Sequence, residues 1–327
     1  MTSSPSRSPG LHRFAVVCAA ATLLLIFVGG LVTSTGSALA VPDWPLAFGK
    51  LIPQLEGGVR FEYGHRLVAG VVVILTLILA VWSWQAEPQR WVRKTALAAI
   101  ALIVAQAILG GITVLLLLPL PIAVAHAAIG QALFCMIVVI AAFTNPRFAA
   151  DVRTAVDERR PALTPLATVT TIMIYAQILV GAVMRHLGAG LAIPDFPLAF
   201  GRLVPPFTSV YVGINFAHRC GALMVVIFVI WTVVRVMRFY RGEVGMVGLA
   251  LGLVALLLSQ ITLGALTIWS GRAVLPTTAH VAVGAAVLAT SLVLTIRSHA
   301  IGRLAAVPEA ATLADRLNPA MEPKLTA

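Results

Sequence analysis

Apolar residues dominate this chain in eight long runs, which short polar or proline-containing segments separate. Each run is close to the roughly 20 residues that an α-helix needs to cross the hydrocarbon core of a bilayer. The runs cover residues 12–34, 63–85, 93–116, 121–143, 164–186, 212–237, 244–269 and 274–297. Only Pro119 and Pro121 interrupt the third and fourth runs, which are therefore expected to form a tight hairpin. The pattern predicts an all-α integral membrane protein with eight transmembrane helices.

Composition and charge agree with this prediction. Only 11% of the 327 residues are charged and the mean hydropathy is +0.98, whereas a soluble domain has about 25% charged residues. A net charge of +11 is compatible with nucleic-acid binding, but the basic residues are divided by membrane side. With the amino terminus inside, 16 of the 23 Lys and Arg residues fall in inner segments, as the positive-inside rule describes. We therefore expect both termini to be cytoplasmic and expect no nucleic-acid partner.

The second half of the chain repeats the first. Residues 39–53 read LAVPDWPLAFGKLIP and residues 191–205 read LAIPDFPLAFGRLVP, an offset of 152 that grows only to 154 between His126 and His280. Each copy holds four spans, an even number, so both copies enter the membrane in the same direction. Repeats of this kind are parallel, related by an axis along the membrane normal. The sequence thus predicts two four-helix bundles arranged as parallel repeats.

This duplication divides the chain into five segments. The bundles are expected over residues 12–143 and 164–297. The remaining segments are a cytoplasmic amino terminus, a charged cytoplasmic linker and a cytoplasmic tail, at residues 1–11, 144–163 and 298–327. The tail is rich in Pro and Ala, and we expect it to be disordered.

Four of the seven histidines occupy repeat-equivalent positions within the spans: His65, His126, His218 and His280. Each lies a few residues inside the outer end of its span, and ionisable groups within a bilayer usually mark function. Two neutral imidazoles that face each other across a four-helix bundle can ligate a haem iron, whereas zinc needs further ligands. A lone membrane histidine can also simply bond a neighbouring helix. Two repeated pairs favour one bis-histidine haem site in each half.

A carboxylate accompanies only one of these pairs. Glu62 lies one helical turn before His65 on the same face, whereas Asn215 holds the equivalent position before His218. The first site therefore looks equipped for proton transfer or cation stabilisation, and the second for plain electron transfer. The alternative is that Glu62 is an interfacial carboxylate paired with Arg60 or Arg66.

Two arginines and a fifth histidine lie at the outer ends of the spans. Arg66 and Arg219 directly follow candidate ligands, where a guanidinium could pair with a haem propionate or extend to the lipid headgroups. His186 ends the fifth span and has no counterpart in the first half. It is interpreted either as an ordinary interfacial residue or as a neighbour of the second haem's propionates.

Several motifs, taken together, resemble those of the haem A synthase family, membrane enzymes that convert haem O to haem A for cytochrome oxidase. The motifs are GGLVTSTGSALAVPDWP, FEYGHRLVAG, AHAAIGQ, RHLGAGLAIPDFP, FAHRCGA and TTAHVAVG. Each is weak alone, but their order, topology and duplication are specific. The resemblance covers residues 12–297.

The resemblance implies different roles for the two halves. His218 and His280 would bind a haem b cofactor, and His65 and His126 would surround the substrate, haem O. Glu62 would be catalytic, assisting oxidation of the C8 methyl group to a formyl group while electrons leave through the second haem. Arginines 66 and 219 would then serve the substrate haem and the cofactor respectively.

The family also implies a setting for the reaction. We expect a multi-pass protein of the cell membrane, surrounded by lipid, with its haem sites toward the outer face. A haem O synthase is an expected donor of the substrate, and a membrane electron acceptor is needed. The sequence leaves the oligomeric state open, a homo-oligomer included.

One departure from the family pattern concerns the outer loops. Many members carry two cysteines in the first loop, where this chain has Val41 and Ala47, and the counterparts in the second half are Ile193 and Ala199. Neither loop can form a disulfide. A relay of electrons through such a cysteine pair is therefore excluded, and the electron route stays open.

Two other functions compete with this interpretation. A dihaem membrane cytochrome b in quinol-linked electron transfer would contain two haems, but it has no need of a carboxylate beside only one of them. A transporter with parallel repeats would need polar groups along a path through the membrane. The polar residues in the spans cluster near the outer face instead, and Glu62 stands beside one site only, so the synthase is favoured.

Overall fold

Eight long α-helices build the structure, a computed structural model that describes residues 8–145 and 162–317, with side chains as far as residue 300. They are α1 Pro9–Ser34, α2 Val59–Ala86, α3 Arg90–Leu115, α4 Leu120–Thr144, α5 Leu163–His186, α6 Val210–Phe239, α7 Val244–Trp269 and α8 Val274–Leu317. Each is long and apolar enough to cross a membrane, through Val274–Ala300 in the case of α8. The predicted all-α protein with eight spans is confirmed.

The helix ends follow from local sequence. Ser8 precedes α1 and its hydroxyl accepts the Leu11 amide at 3.4 Å, and Ser209 caps α6 by accepting the Val212 amide at 3.3 Å. Such caps satisfy amide groups that have no partner inside the helix. Four residues join α3 to α4, ending at Pro119. The tight hairpin expected at this proline is present.

Helix α2 illustrates how each span divides its surface between lipid and protein. One face is apolar and exposed, and the opposite face is buried. The exposed face carries Leu67, Val71, Ile74, Ile78 and Val81, and the buried face carries Val72, Thr76, Leu79 and Ser83. Both sets recur at intervals of three and four residues, the spacing of one helical face. The uncovered face fits contact with lipid tails, and packing of the other face holds the bundle together.

The helices contact one another in two closed rings of four. In the first ring α1 packs on α2, α2 on α3, α3 on α4, and α4 on α1; α5 to α8 make the same set of contacts in the second. Helices α1, α4, α5 and α8 also join the rings to each other. The rings correspond to the two halves expected from the repeat. Their parallel arrangement, the cytoplasmic termini and the exact segment boundaries stay predictions.

Three parts of the predicted organisation are only partly described. Most of the linker, residues 146–161, lies outside the described residues, as do residues 1–7 and 318–327. Helix α8 continues beyond the predicted end of the last span to Leu317. The expected disorder of the tail stays a prediction.

Two long loops cover one end of the rings, and they are built alike. The first long loop (residues 35–58) joins α1 to α2, and the second long loop (residues 187–209) joins α5 to α6. A short 3-10 helix, Ala189–Leu191, lies in the second. Each loop contains a cis peptide bond before a proline, at Pro45 and Pro197. Both sites predicted from the sequence lie at this end of the molecule.

Each long loop contains a tight turn closed by an aspartate. The Asp43 carboxylate accepts the Phe48 amide at 2.7 Å and the Gly49 amide at 2.8 Å. These donors, Gly49 first, hold the pKa of Asp43 below its ordinary value. Gly49 adopts a left-handed φ of 69°, which glycine accepts without strain. In the second loop the amides of residues 200 and 201 bind Asp195 in the same way and lower its pKa too.

Candidate functional site

The four repeated histidines each lie against a glycine of the preceding helix. The pairs are His65 with Gly29, His126 with Gly110, His218 with Gly181, and His280 with Gly264. A Cβ built on any of these glycines would lie between 3.0 and 3.4 Å from the Cε1 atom of the ring. A larger residue would therefore push the imidazole from its place. The glycines let each ring lie close against the neighbouring helix, in a position repeated four times.

The histidines come together in the pairs that the sequence predicts. His65 and His126 are near enough to interact electrostatically, and so are His218 and His280. The part of the chain that the structure describes contains no cluster of three or more His, Cys, Asp or Glu residues suited to a metal ion. The donor set is thus two imidazoles in each ring of helices. That set fits the axial ligands of a haem iron better than a structural zinc site, which takes four protein ligands.

Glu62 is buried at the start of α2, with only 4% of its surface exposed. Its Oε2 atom accepts the Val41 amide at 2.8 Å, and its Oε1 atom accepts an Arg66 N–H at 2.8 Å. The carboxylate therefore connects the first long loop to α2 beside the His65–His126 pair. The pairing with Arg66 that the sequence left open is present, and it fixes the carboxylate without removing it from the site.

Asn215 occupies the equivalent place in the second half and is equally buried, at 3% exposed. Its Nδ2 atom donates to the Ala189 carbonyl at 2.9 Å, and its Oδ1 atom accepts the Nε–H of Arg219 at 3.0 Å. Asn215 thus holds the second long loop much as Glu62 holds the first. The difference is chemical, because an amide cannot take up a proton or carry a negative charge at neutral pH.

Arg66 and Arg219 fasten the two long loops to the helices. Arg66 donates to the carbonyls of Asp43 and Leu46, both at 2.9 Å. Arg219 donates to the carbonyls of Leu198 at 2.8 Å and Ile193 at 3.0 Å. Each guanidinium therefore closes a loop over the end of its ring of helices. Their predicted pairing with propionates stays a prediction.

Three glutamines lie against the histidines, although the sequence pattern indicated no role for them. They form the pairs Gln106–His126, Gln177–His218 and Gln260–His280. Gln106 donates to the His126 carbonyl at 2.8 Å, and the Gln177 amide nitrogen lies 2.9 Å from Nδ1 of His218. One signal was available in the sequence, since amides are rare in apolar spans and two of these three recur at the repeat offset.

Arg185 and His186 lie where the two rings of helices meet. Arg185 at the end of α5 donates to the Gly30 carbonyl at 2.7 Å and to the Ser34 hydroxyl at 2.8 Å, both on α1. His186 lies on the side of α5 that approaches His126 of the first ring. This end of α5 therefore approaches the first histidine pair and joins the two halves.

Together the fold and the sites define a class, a multi-pass membrane protein with two similar helical rings, each carrying a histidine pair suited to haem. The family follows from comparison with known proteins. Residues 12–60 and 58–292 match the family described as cytochrome oxidase assembly protein. The chain belongs to this family.

Individual relatives give the same result. The chain is 31% identical to the haem A synthase of Shouchella clausii over 233 residues, which is 68% of this chain and 76% of that protein. It is 31% identical to the haem A synthase of Symbiobacterium thermophilum, over 68% of this chain and 75% of that one. It is also 31% identical to the haem A synthase of Alkalihalophilus pseudofirmus, over 71% of this chain and 79% of that protein. The haem A synthase family predicted from the motifs is confirmed, and the dihaem cytochrome alternative is not supported.

Proposed function

We propose that this protein is an oxidoreductase of haem A biosynthesis that oxidises the C8 methyl group of haem O to a formyl group. The observation that carries the proposal is the difference between Glu62 and Asn215 at equivalent, buried positions. A protein with two electron-transfer sites would have no need of a carboxylate beside only one of those sites. Family membership supports the same reaction, since the relatives are named haem A synthase.

In this proposal His65 and His126 bind the substrate haem, and His218 and His280 hold a haem b cofactor. Haem b supplies an iron that accepts and passes on electrons. The glycines against each ring support these assignments, because they leave the imidazoles uncrowded beside the neighbouring helix. A pair of imidazoles is also a donor set that would suit a haem iron.

Glu62 assists the reaction while the methyl group loses electrons. Positive charge that develops on the substrate is stabilised by a nearby carboxylate, and a carboxylate can also take a proton from an attacking water. Arg66 and the Val41 amide hold Glu62 in place before the reaction begins, so the group does not need to reorganise. Arg66 and Arg219, at the mouths of the two sites, are the cations that we assign to the haem propionates.

The residues at the family's cysteine positions support a different route for electrons. Val41 and Ala47 are 0% and 1% exposed, and Ile193 and Ala199 are 0% and 2% exposed. These side chains are buried apolar contacts of the long loops. We propose that the electrons reach a membrane acceptor without any thiol relay; a haem b held by His218 and His280 would supply the electron-transfer chemistry.

The setting that we propose is the cell membrane, with both termini in the cytoplasm and both haem sites toward the outer face. Eight apolar helices support the multi-pass arrangement, and the positive-inside distribution supports its direction. A haem O synthase is the proposed donor of the substrate, which is too apolar to diffuse freely through water. A homo-oligomer is compatible with this setting.

The reaction is tested by coexpressing the protein with a source of haem O and separating the extracted haems by chromatography. We expect haem A, or its hydroxylated intermediate, only in cells that contain this chain. Cells with the haem O source alone are the control. Haem B and haem O without any further product would contradict the proposed reaction.

The assignment of the two sites is tested by histidine variants of the purified protein. His218→Ala and His280→Ala should deplete the haem b that remains bound after purification. His65→Ala is the matched control, and it should retain haem b while losing haem A formation. Full retention of haem b in both second-half variants would overturn the cofactor assignment.

A further inference from the structure

The Nδ1 atoms of the four histidines differ between the two halves. In the second half both have a partner: Nδ1 of His218 lies 2.9 Å from the Gln177 amide nitrogen, and Nδ1 of His280 lies 3.1 Å from the Gln260 carbonyl. In the first half, among the side chains that the structure describes, Nδ1 of His65 is buried without a hydrogen-bond partner, whereas the Gln106 backbone approaches His126 as the Gln260 backbone approaches His280. The two halves therefore differ at one ring of each pair: His218 is anchored by a side chain, and His65 is not.

This difference bears directly on how tightly each pair can hold a metal centre. When one ring nitrogen of a histidine ligates a metal, a hydrogen bond at the other nitrogen fixes the ring and raises its basicity. Loss of such a partner typically weakens metal affinity by about 10- to 100-fold. Unanchored rings give a weaker site that exchanges its ligand more easily, whereas anchored rings retain it.

Gln177 fits its place only because of a glycine on the facing helix. A Cβ on Gly221 would lie 2.1 Å from the Oε1 atom of Gln177, far inside the contact distance of two atoms. At the repeat offsets of these helices, the first half has Leu25 and Val68 instead. At these two positions, the polar side chain and the space for it occur together in the second half, and both are missing from the first half.

The amide of Gln177 also holds the backbone beside its histidine. It donates to the His218 carbonyl at 2.7 Å in addition to its contact with Nδ1. A carboxamide carries both an acceptor and a donor, so rotation about its last torsion lets its oxygen accept a hydrogen bond from a protonated Nδ1, in exchange for the bond to the His218 carbonyl. That is the form of the ring that leaves Nε2 free for iron.

We propose that Gln177 is a positioning residue that makes the second histidine pair a retaining haem site. The pair that contains the unanchored His65 forms an exchanging site, as a haem that enters as substrate and leaves as product requires. The proposal rests on the proposed function, because it assigns retention and exchange to the two sites named there. It adds the residue responsible for the difference.

The test uses Gln177→Met in the full-length protein, purified with its haem. Methionine has nearly the same shape as glutamine but cannot form these hydrogen bonds. We expect the equilibrium constant for haem transfer to excess apomyoglobin to be about 10- to 100-fold larger for this variant than for the unchanged protein. The reduction potential of the haem should also rise, because a less basic ligand stabilises the oxidised iron less. A side chain that served packing alone would leave that potential unchanged.

Leu25→Met is the matched control at the equivalent place in the first half, and it should change neither haem retention nor the potential. The reciprocal variant, Leu25→Gln with Val68→Gly, should retain haem in the first half that the unchanged protein releases. It provides an independent test if Gln177→Met does not fold. Failure of this reciprocal variant to gain retention, while folded, would then overturn the proposal.

The outcomes separate the inference from the function on which it rests. Purified protein that never binds haem at His218 and His280 would contradict the proposed function itself. Protein that binds haem there, but whose retention and potential are the same with Gln177→Met, would contradict only the role of Gln177. Weaker retention together with a higher potential supports both.

Discussion

Glu62 and Asn215 stand near the starts of α2 and α6, and each accepts a hydrogen bond from the arginine four residues later. Their contacts to the long loops run in opposite directions. Glu62 accepts from the Val41 amide, whereas Asn215 donates to the Ala189 carbonyl. Both residues fasten a loop, so anchoring alone does not explain the carboxylate. The charge and the proton affinity of Glu62 are what the second half lacks.

Replacing Glu62 with glutamine separates these two roles. Glu62→Gln keeps the size of the side chain and an oxygen that can accept one of its two hydrogen bonds, but it removes the charge. We expect haem A formation to fall by about 10²- to 10⁴-fold, the usual contribution of a general acid or base, while haem b stays bound. The haems are measured by chromatography of extracts and by absorbance of the purified protein.

The control for this variant is Glu56→Gln, which alters an exposed carboxylate in the first long loop. It should form haem A as the unchanged protein does. Normal haem A formation by Glu62→Gln would remove Glu62 from the chemistry and leave it as a loop anchor only.

The two long loops are the elements that the sequence described least well. Their repeated motif marked them as equivalent, but the turn closed by Asp43 depends on amides five and six residues later, which no periodicity indicates. The helices were predictable because a bilayer demands long apolar runs with internally satisfied backbones. Helix α2 begins at Val59 rather than 63, since hydropathy marks the hydrocarbon region while helical hydrogen bonding continues past it.

The candidate site was predictable for a similar reason, and only in part. Histidines stand out in apolar spans, so the pairs and Glu62 could be found by comparing the two halves. Gln177 could not, because its importance depends on the rotation of α5 against α6 and on the missing Cβ of Gly221. Such contacts arise from helix packing and leave no signal in the spacing of residues along one helix.

The aspartate turns predict how the long loops respond to acid. Backbone N–H donors hold the pKa of Asp43 and Asp195 below the ordinary value, which is about 3.9 for aspartate. A group whose folded pKa is depressed contributes stability that is present above the unfolded value and lost as pH falls through the folded one. Loop order should therefore be constant from neutral pH to about pH 5 and decline below about pH 4.

Hydrogen exchange of the loop amides in lipid nanodiscs measures this response. The amides of Phe48, Gly49 and their counterparts in the second loop should lose protection in acid, after correction for the intrinsic exchange rate. Asp43→Asn should weaken protection in the first loop at neutral pH and make it independent of acid, while the second loop keeps its response. Equal acid sensitivity of the first loop in that variant would contradict the role of Asp43.

At the scale of the whole molecule, Arg185 makes two of the polar contacts that connect the two rings of helices. Its bonds to Gly30 and Ser34 cross from α5 to α1, and Thr278 on α8 also donates to the Ser34 hydroxyl, at 2.9 Å. Hydrogen bonds that involve a charged group contribute about 1.5–3 kcal/mol. Arg185→Leu should lower the stability of the protein by an amount of this order.

Thermal unfolding in detergent measures the effect of Arg185→Leu. Arg202→Leu is the control, because Arg202 is an exposed arginine of the second long loop and its replacement should leave the unfolding temperature nearly unchanged. An unfolding temperature for Arg185→Leu equal to that of the control would show that the bonds of Arg185 add nothing to the stability of the joined halves.

The direction of the two repeats in the membrane gives the last prediction. Lys50 and Arg202 occupy equivalent exposed positions in the two long loops, and Arg90 and Arg241 are exposed at the opposite ends of the helices. Four spans in each half place both loops on one side of the membrane, and the positive-inside rule makes that side the outer one. We expect Lys50→Cys and Arg202→Cys, each in a variant without the native cysteines, to react with a membrane-impermeant maleimide added to intact cells.

Arg90→Cys and Arg241→Cys are the matched positions on the inner side, and they should react only after the membrane is permeabilised. Inverted repeats would place one long loop outside and the other inside. Lys50→Cys and Arg202→Cys would then differ in their reaction with the maleimide on intact cells. Reaction of both loops only after permeabilisation would keep the parallel arrangement but reverse the protein in the membrane. Because the histidine pairs lie near the loop end of the helices, the same experiment determines the side on which haem O is oxidised.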